Sequence, residues 1–98
     1  GNSRGKKVFI HFWADWCRYC HEMERKTFRN PAVVAYLDEN FIAVKVDTDR
    51  EQKVAGMFGI SSLPDNWFIS EKGERLGYRQ GYIPPGTFIK ILKNVNNQ

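Results

Sequence analysis

The sequence of 98 residues contains only two cysteines, two histidines and four prolines. Two cysteines are too few for the framework of bridges that stabilises a small secreted scaffold. No apolar run approaches the ~18 residues that a membrane-spanning helix needs. The formal net charge is +4, but the basic residues are spread among acidic ones, whereas a nucleic-acid-binding surface would cluster them. These absences leave a globular domain whose chemistry has to come from few side chains.

The sequence contains enough hydrophobic residues to form the core of one packed domain. Hydrophobic residues make up 42% of the chain and aromatic residues 14%, which is typical of a folded globule. A chain of this length folds around a single core. We therefore expect one domain over residues 1–98, with 1–7 as a poorly structured N-terminal extension.

The order of apolar and turn-forming residues predicts alternating strands and helices. Strands are expected at 8–13, 41–46, 67–69 and 75–80, and helices at 17–26, 31–37, 49–58 and 85–95. Asn30 and Asp49 are expected to cap the second and third helices, and Gly73 to form the turn of a closing hairpin. The pattern predicts an α/β fold: a βαβ unit, a β-hairpin and a C-terminal helix.

Both cysteines lie in Trp16-Cys17-Arg18-Tyr19-Cys20, directly after the first predicted strand. A Cys-x-x-Cys pair whose thiols can bond to each other is a two-electron switch, so the pattern predicts thiol–disulfide exchange. Three other interpretations stay open at this point. The pair could be a structural bridge, a haem attachment site, because His21 completes Cys-x-x-Cys-His, or part of an incomplete zinc site.

Several motifs together resemble the thioredoxin superfamily over residues ~7 to ~95. They are Phe12-Trp13-Ala14-Asp15-Trp16-Cys17-x-x-Cys20, Val44-x-Val46-Asp47-x-Asp49, Gly59-Ile60-x-x-Leu63-Pro64 and Gly81. The run from Cys20-His21 to Asn30-Pro31-x-Val33 is similar to exported thioredoxin-related proteins, including the C-terminal domain of the transmembrane thiol–disulfide interchange reductase. The resemblance implies a thioredoxin-like fold in its minimal form, a four-stranded mixed sheet flanked by helices, and dithiol–disulfide oxidoreductase activity.

The two cysteines are expected to have different roles. Cys17 is the candidate nucleophile, because the N-terminus of the following helix and the charge of Arg18 both favour its thiolate. Cys20, one turn into the helix, is expected to be more buried and to resolve the mixed disulfide. His21 lies four residues after Cys17, on the same helix face, where it could contact the thiol or have no role.

Residue 11 departs from the pattern that the resemblance implies. Thioredoxins usually carry a buried Asp six residues before the first Cys, and that Asp takes the proton of the resolving thiol. Here the position is His11, which we expect to be mostly neutral and to serve either as a proton relay or as core packing. Lys45 matches the Lys that often accompanies the Asp, but with His11 no buried ion pair of that type is available.

Substrate positioning is expected from residues around Pro64. Pro64 matches the cis-proline of the superfamily, which packs beside the dithiol and leaves the backbone of the preceding residue, Leu63, free to pair with an extended substrate. Trp16, together with Trp67, is expected at an apolar rim that receives the partner. Asp65 is unusual after that proline and could place negative charge near Cys17.

The sequence thus predicts an enzyme, a protein disulfide oxidoreductase that needs no cofactor beyond Cys17 and Cys20. A non-catalytic thioredoxin-fold docking or redox-sensing domain is the alternative. Expected partners are protein disulfides or dithiols and an upstream thiol donor, with a membrane protein as a candidate donor, and no nucleic acid. We expect a monomer in the bacterial periplasm or cell envelope, with the cytoplasm as the alternative. The physiological direction of exchange is left open.

Overall fold

The computed structural model of the protein describes residues 5–98. Its elements are β1 (Lys7–Trp13), α1 (Arg18–Lys26), α2 (Pro31–Asn40), β2 (Phe41–Asp47), α3 (Gln52–Met57), β3 (Asp65–Ile69), β4 (Arg75–Gln80) and α4 (Pro85–Asn96). This order confirms the predicted one. Of the predicted N-terminal extension, residues 1–4 lie outside the described residues, and Lys7 is the first residue of β1.

The strands form one four-stranded sheet in the order β2-β1-β3-β4. β1 and β2 are parallel, whereas β3 is antiparallel to both β1 and β4. A parallel pair needs a long crossover, and α1 with α2 provides it, while β3 and β4 are joined by a short turn in which Gly73 has a φ of 88°. The predicted fold class, a mixed four-stranded sheet flanked by helices, is confirmed.

The core is divided between the two faces of the sheet, because successive strand residues point to opposite sides. On one face, Phe9 and Phe68 pack with buried residues of α1, α2 and α4, among them Met23 and Phe88. On the other face, Phe12 packs with residues of β2 and β3 and with apolar side chains in and after α3. Burial of each fully covered Phe contributes about 1.5–3 kcal/mol to the free energy of unfolding.

The two predicted helix caps have different outcomes. The side chain of Asn30 accepts hydrogen bonds from the backbone N–H groups of Ala32 and Val33, so it caps α2 as predicted. The prediction for Asp49 is wrong. Glu51 is the N-cap residue of α3 and makes no side-chain cap bond, while the Asp49 carboxylate is used in a contact with Trp16.

Candidate active site

The cysteine pair lies where the loop after β1 enters α1. Cys17 is the N-cap residue of α1, with an extended φ of −86° and ψ of 108°, and its N–H donates to the Ala14 carbonyl at 3.1 Å. Cys17 and Cys20 form a disulfide with their Cα atoms 5.3 Å apart. The backbone N–H of Cys20 donates to Sγ of Cys17 at 3.1 Å. The sulfur of Cys17 therefore occupies the position that a capping oxygen takes in other helices.

The surroundings of Cys17 favour negative charge. The first turn of α1 contains no acidic residue, and its first residue, Arg18, is exposed. Unpaired N–H groups at a helix N-terminus carry partial positive charge, and Arg18 adds a full one. Both cysteines are buried, Cys17 at 5% exposed and Cys20 at 2%.

Two exposed aromatic side chains lie next to the cysteines in sequence, Trp16 before Cys17 and Tyr19 between Cys17 and Cys20. Trp16 is 71% exposed and Tyr19 is 58% exposed. The indole N–H of Trp16 donates to Oδ2 of Asp49 at 3.1 Å, which ties the rim to the loop before α3. The sequence interpretation missed Tyr19 and Asp49. Only the exposure of Tyr19 on the first helical turn and the distant partner of Trp16 reveal them.

The Leu63–Pro64 segment lies at the same end of the sheet. Asp65 pairs with Phe12, so Pro64 lies near the end of β1 from which the loop leads to Cys17. The Leu63–Pro64 peptide bond is cis, and the Pro64 carbonyl accepts from the Gly81 N–H at 2.7 Å. Leu63 is half-buried and lies before the first paired residue of β3.

His11 is buried in the face of the sheet that packs on α1. Its Nδ1 lies 2.8 Å from Oδ1 of Asn66, and its ring meets the edge of Phe28 with the centroids 4.7 Å apart. Burial lowers the pKa of His11 to about 4, so the imidazole is neutral at neutral pH. This lowered pKa agrees with the expectation of a neutral His11, and the sequence interpretation did not include its hydrogen-bond partner, Asn66.

Lys45 lies beside His11 in the sheet, and the ion pair that it makes is with Glu24. The two residues are register partners in β2 and β1. Lys45 Nζ instead lies 2.6 Å from Oε1 of Glu24 in a half-exposed ion pair, and 5.1 Å from the centre of the Phe28 ring. The charge of Lys45 contributes to the lowered pKa of His11, after the larger effect of burial, and Glu24 opposes it.

His21 is close to Cys17 in sequence, but its side chain is bonded elsewhere. Its ring Nε2 lies 2.7 Å from the carbonyl oxygen of Asp15, and since a carbonyl only accepts, Nε2 is the donor. The exposed ring therefore closes the loop across Cys17. Nε2 of His21 is therefore bonded to the backbone and not to the thiol of Cys17.

Asp65 and Trp67 are buried on the face of the sheet opposite to His11. Asp65 is 2% exposed, and burial raises the pKa of its carboxyl. Among the described residues, Asp65 Oδ1 and Trp67 Nε1 are buried without a hydrogen-bond partner. Trp67 stacks on Tyr78 with the ring centroids 4.7 Å apart, so it belongs to the core and not to the expected rim.

Over residues 5–98, no three or more His, Cys, Asp and Glu side chains come together as metal ligands. Within the same range, none of the helices has the length and apolar character to cross a bilayer.

Comparisons with known protein families and with individual proteins agree on one family. The model of the thioredoxin-like domain family matches residues 2–96. The thioredoxin-like protein HCF164 of rice, described as chloroplastic, is 28% identical over 88 residues, covering 89% of this chain and 33% of the relative. Thiol:disulfide interchange protein DsbD of Actinobacillus pleuropneumoniae is 30% identical over 99 residues, covering 95% of this chain and 17% of the relative. The chain thus spans about a third or less of these relatives.

Solved structures show the same fold. A thioredoxin from Thermus thermophilus superposes with a TM-score of 0.81 at 27% identity, covering 93% of this chain and 74% of that one. The oxidised C-terminal domain of DsbD from Neisseria meningitidis has a TM-score of 0.75 at 27% identity, covering 91% of this chain and 79% of that domain. These similarities confirm the resemblance inferred from the motifs around Cys17 and Pro64.

Proposed function

This chain belongs to the thioredoxin-like domain family, and we propose that it is a thiol–disulfide oxidoreductase that exchanges its Cys17–Cys20 pair with protein disulfides. The observation that carries the proposal is the position of Cys17 Sγ. It caps α1, accepts the Cys20 N–H at 3.1 Å and is bonded to the sulfur of Cys20. A sulfur held by a helix N-terminus is stabilised as a thiolate, which is the nucleophile in disulfide exchange.

The exchange uses the two cysteines in order. In the reduced protein, the Cys17 thiolate attacks one sulfur of a partner disulfide, that bond breaks, and the other partner sulfur leaves as a thiolate. Cys20 then loses its proton and attacks Sγ of Cys17. The Cys17–Cys20 bond forms, the second partner sulfur leaves, and two electrons have passed from the dithiol to the partner. The reverse sequence oxidises a partner dithiol.

The surface around Cys17 supports binding of an extended polypeptide. Trp16 and Tyr19 offer exposed aromatic area adjacent to the cysteines in sequence. Leu63 lies outside the paired residues of β3, so its backbone is placed where a substrate strand could add hydrogen bonds. The roles of Trp16, Leu63 and Pro64 as substrate-positioning residues, and of Arg18 as the residue that tunes Cys17, are parts of this proposal.

Reduction of insulin by dithiothreitol tests the activity. Wild type is expected to accelerate the reaction with many turnovers, and Cys17→Ser is expected to abolish the acceleration. Cys20→Ser is expected to accumulate a mixed disulfide between Cys17 and the partner, because the resolving thiol is missing. A wild-type protein that forms one stable partner complex but gives no turnover would instead be the docking or redox-sensing domain.

The similarity to DsbD supports a location in the bacterial periplasm or cell envelope. There the chain, as a monomer, would receive electrons from an upstream thiol donor, including a membrane protein, and pass them to protein disulfides. Recycling assays separate this from a cytoplasmic role. Efficient reduction of the oxidised pair by thioredoxin reductase would contradict the envelope assignment, whereas reduction only by an envelope donor would support it.

A further inference from the structure

The excess positive charge of the protein lies in its last two elements. Residues 1–74 contain eleven basic and eleven acidic residues, so they carry no net charge. Residues 75–98, which include β4 and α4, contain no acidic residue, and their four basic residues account for the whole net charge of +4. These four are Arg75, Arg79, Lys90 and Lys93. One edge of the sheet and its last helix therefore differ in charge from the rest of the chain.

A groove of about 180 Å³ lies between β4 and α4. Its apolar lining comes from Phe68 of β3, Leu76 of β4, and Ile91 and Val95, which lie on one face of α4. Pockets for small molecules measure about 300–1,000 Å³, so this groove is too small to enclose a drug-sized ligand. It can instead receive one part of a longer molecule that lies across it.

The groove runs along an edge of the sheet. The strand order β2-β1-β3-β4 gives β4 a strand partner on one side only. An outer strand presents backbone N–H and C=O groups to which an extended peptide can bond as an additional strand. Gly77 lines the groove, and no atom lies within 4 Å of the position that a Cβ would take there, so this part of the edge is open. The shape therefore favours an extended polypeptide.

Two exposed cations belong to this surface. Arg79 and Asn94 line the groove, and Lys90 lies one helical turn before Asn94 on the same face of α4. Among residues 5–98, the ion pairs involve other basic residues, and neither Arg79 nor Lys90 forms one. Arg75 lies on the opposite face of the sheet, 4.4 Å from the centre of the Phe58 ring. Arg79 and Lys90 are thus the charges available to a molecule in the groove.

We propose that the groove between β4 and α4 is a docking site for an extended, acidic segment of a partner protein. Carboxylates of the segment pair with Arg79 and Lys90, and an apolar side chain between them packs into the groove. The lining of the groove includes no residue of 16–20 and neither Leu63 nor Pro64, so a docked partner leaves the proposed redox site open. Docking at this surface is independent of the exchange reaction at Cys17.

Charge distinguishes this groove from a second one, which lies between α2 and β2. The second groove is lined by both Asp38 and Lys45, and Lys45 is already paired with Glu24, so its charges compensate each other. Anionic membranes are recognised by clusters of about 4–8 Lys and Arg residues, and nucleic acid by a basic patch or stripe. Two cations beside an apolar groove instead match a short acidic peptide with an apolar residue.

An NMR titration of the ¹⁵N-labelled protein tests the proposal. The probes are an end-capped peptide of alternating glutamate and valine, and the same peptide with glutamine in place of glutamate. The glutamate peptide is expected to shift the backbone resonances of residues 76–79 and 91–95, and to bind more tightly than the glutamine peptide. Its binding should weaken as salt is added, because salt screens exposed charges.

Charge reversal at the groove identifies the residues that bind the peptide. Arg79→Glu is expected to weaken binding of the glutamate peptide by about fivefold or more, because a repulsion replaces an ion pair. Lys53→Glu makes the same charge change at an exposed position of α3, on the opposite face of the sheet, and should weaken binding much less. Reduction of insulin by Arg79→Glu should match that of wild type.

Vesicles of phosphatidylcholine with phosphatidylserine, and a single-stranded oligonucleotide, are the probes for the other acidic partners. Binding of either one without binding of the glutamate peptide would overturn the proposal. It would also be overturned by equal binding of the two peptides, by resonance shifts confined to other segments, or by equal weakening in Arg79→Glu and Lys53→Glu.

Discussion

The indole N–H of Trp16 donates a 3.1 Å hydrogen bond to Oδ2 of Asp49, although 71% of the Trp16 surface is exposed. An exposed Trp without such a bond would sample several rotamers, and ordering it on binding would cost free energy. Asp49 therefore holds Trp16 in one orientation beside Cys17. Asp49 does not cap α3, because it lies three residues before the first residue of that helix and Glu51 occupies the N-cap position.

Asp49→Ala is expected to lower kcat/KM for protein disulfides. The hydrogen bond is worth about 1 kcal/mol, which corresponds to about fivefold in kcat/KM. A small disulfide does not need the rim, so its rate should be unchanged. Reduction of insulin measures kcat/KM for a protein disulfide, and reduction of a small aromatic disulfide measures the rate without the rim. Glu39→Ala, which removes an exposed carboxylate of α2, is the control. An equal loss for both substrates would contradict the role of Trp16.

His11 is expected to make stability depend on pH. Its pKa is lowered from 6.5 to about 4, so between these values the unfolded chain binds more protons than the folded one. The free energy of unfolding should therefore rise with pH across this range, by about 3 kcal/mol in total. Urea unfolding at several pH values measures this.

His11→Gln isolates that contribution, because every other group is kept. The variant should lose most of the difference in unfolding free energy between pH 4 and 6.5 relative to wild type. A variant whose stability followed the same pH curve as wild type would show that His11 is not kept neutral by burial.

Asp65 is expected to act in the opposite direction. Burial raises its pKa above 3.8, so above that value the folded chain binds more protons, and stability falls as pH rises through the folded pKa. Asp65→Asn removes the buried charge and should stabilise the protein at neutral pH by about 1 kcal/mol. The gain should vanish in acid. Asp38→Asn, on the exposed side of α2, is the control, and a loss of stability at neutral pH in Asp65→Asn would contradict the prediction.

Arg18 is expected to make the cysteine pair more oxidising. Its charge at the first turn of α1 stabilises the Cys17 thiolate, and hence the reduced form, by about 0.3–1 kcal/mol. The pair should therefore have a reduction potential above the roughly −270 mV of thioredoxin. Arg18→Gly should move it to a more negative value by about 6–20 mV. Equilibration with glutathione measures this, and a wild-type potential at or below that of thioredoxin would contradict the argument.

Local pattern was sufficient to predict the fold class and the place of the redox pair. The apolar run of β1, the Asn30 cap and the spacing of Cys17 and Cys20 all act over a few residues. β3 was predicted to begin at residue 67, because Asp65 and Asn66 are polar, yet the strand begins at Asp65 and both side chains are buried. Asn66 is tolerated there because His11 and the Arg79 and Gly81 carbonyls satisfy its amide.

The side-chain positions and partners that the sequence did not predict share one cause. Trp67 was expected at the rim, but it is buried in the core cluster with Phe12 of β1 and Val46 of β2. The partner of Trp16, Asp49, lies 33 residues away along the chain, and that of His11, Asn66, lies 55 residues away. Such pairings depend on which strands and loops the fold brings together, and residue type at a single position does not show them.

Timed alkylation of the fully reduced protein at neutral pH, with the modified residue identified by mass spectrometry, tests most directly whether the cap of α1 activates one sulfur. Cys17 should react first, well before Cys20 and faster than the thiol of a short unstructured cysteine peptide. Modification of Cys20 first, or a Cys17 no faster than the peptide, would contradict the account.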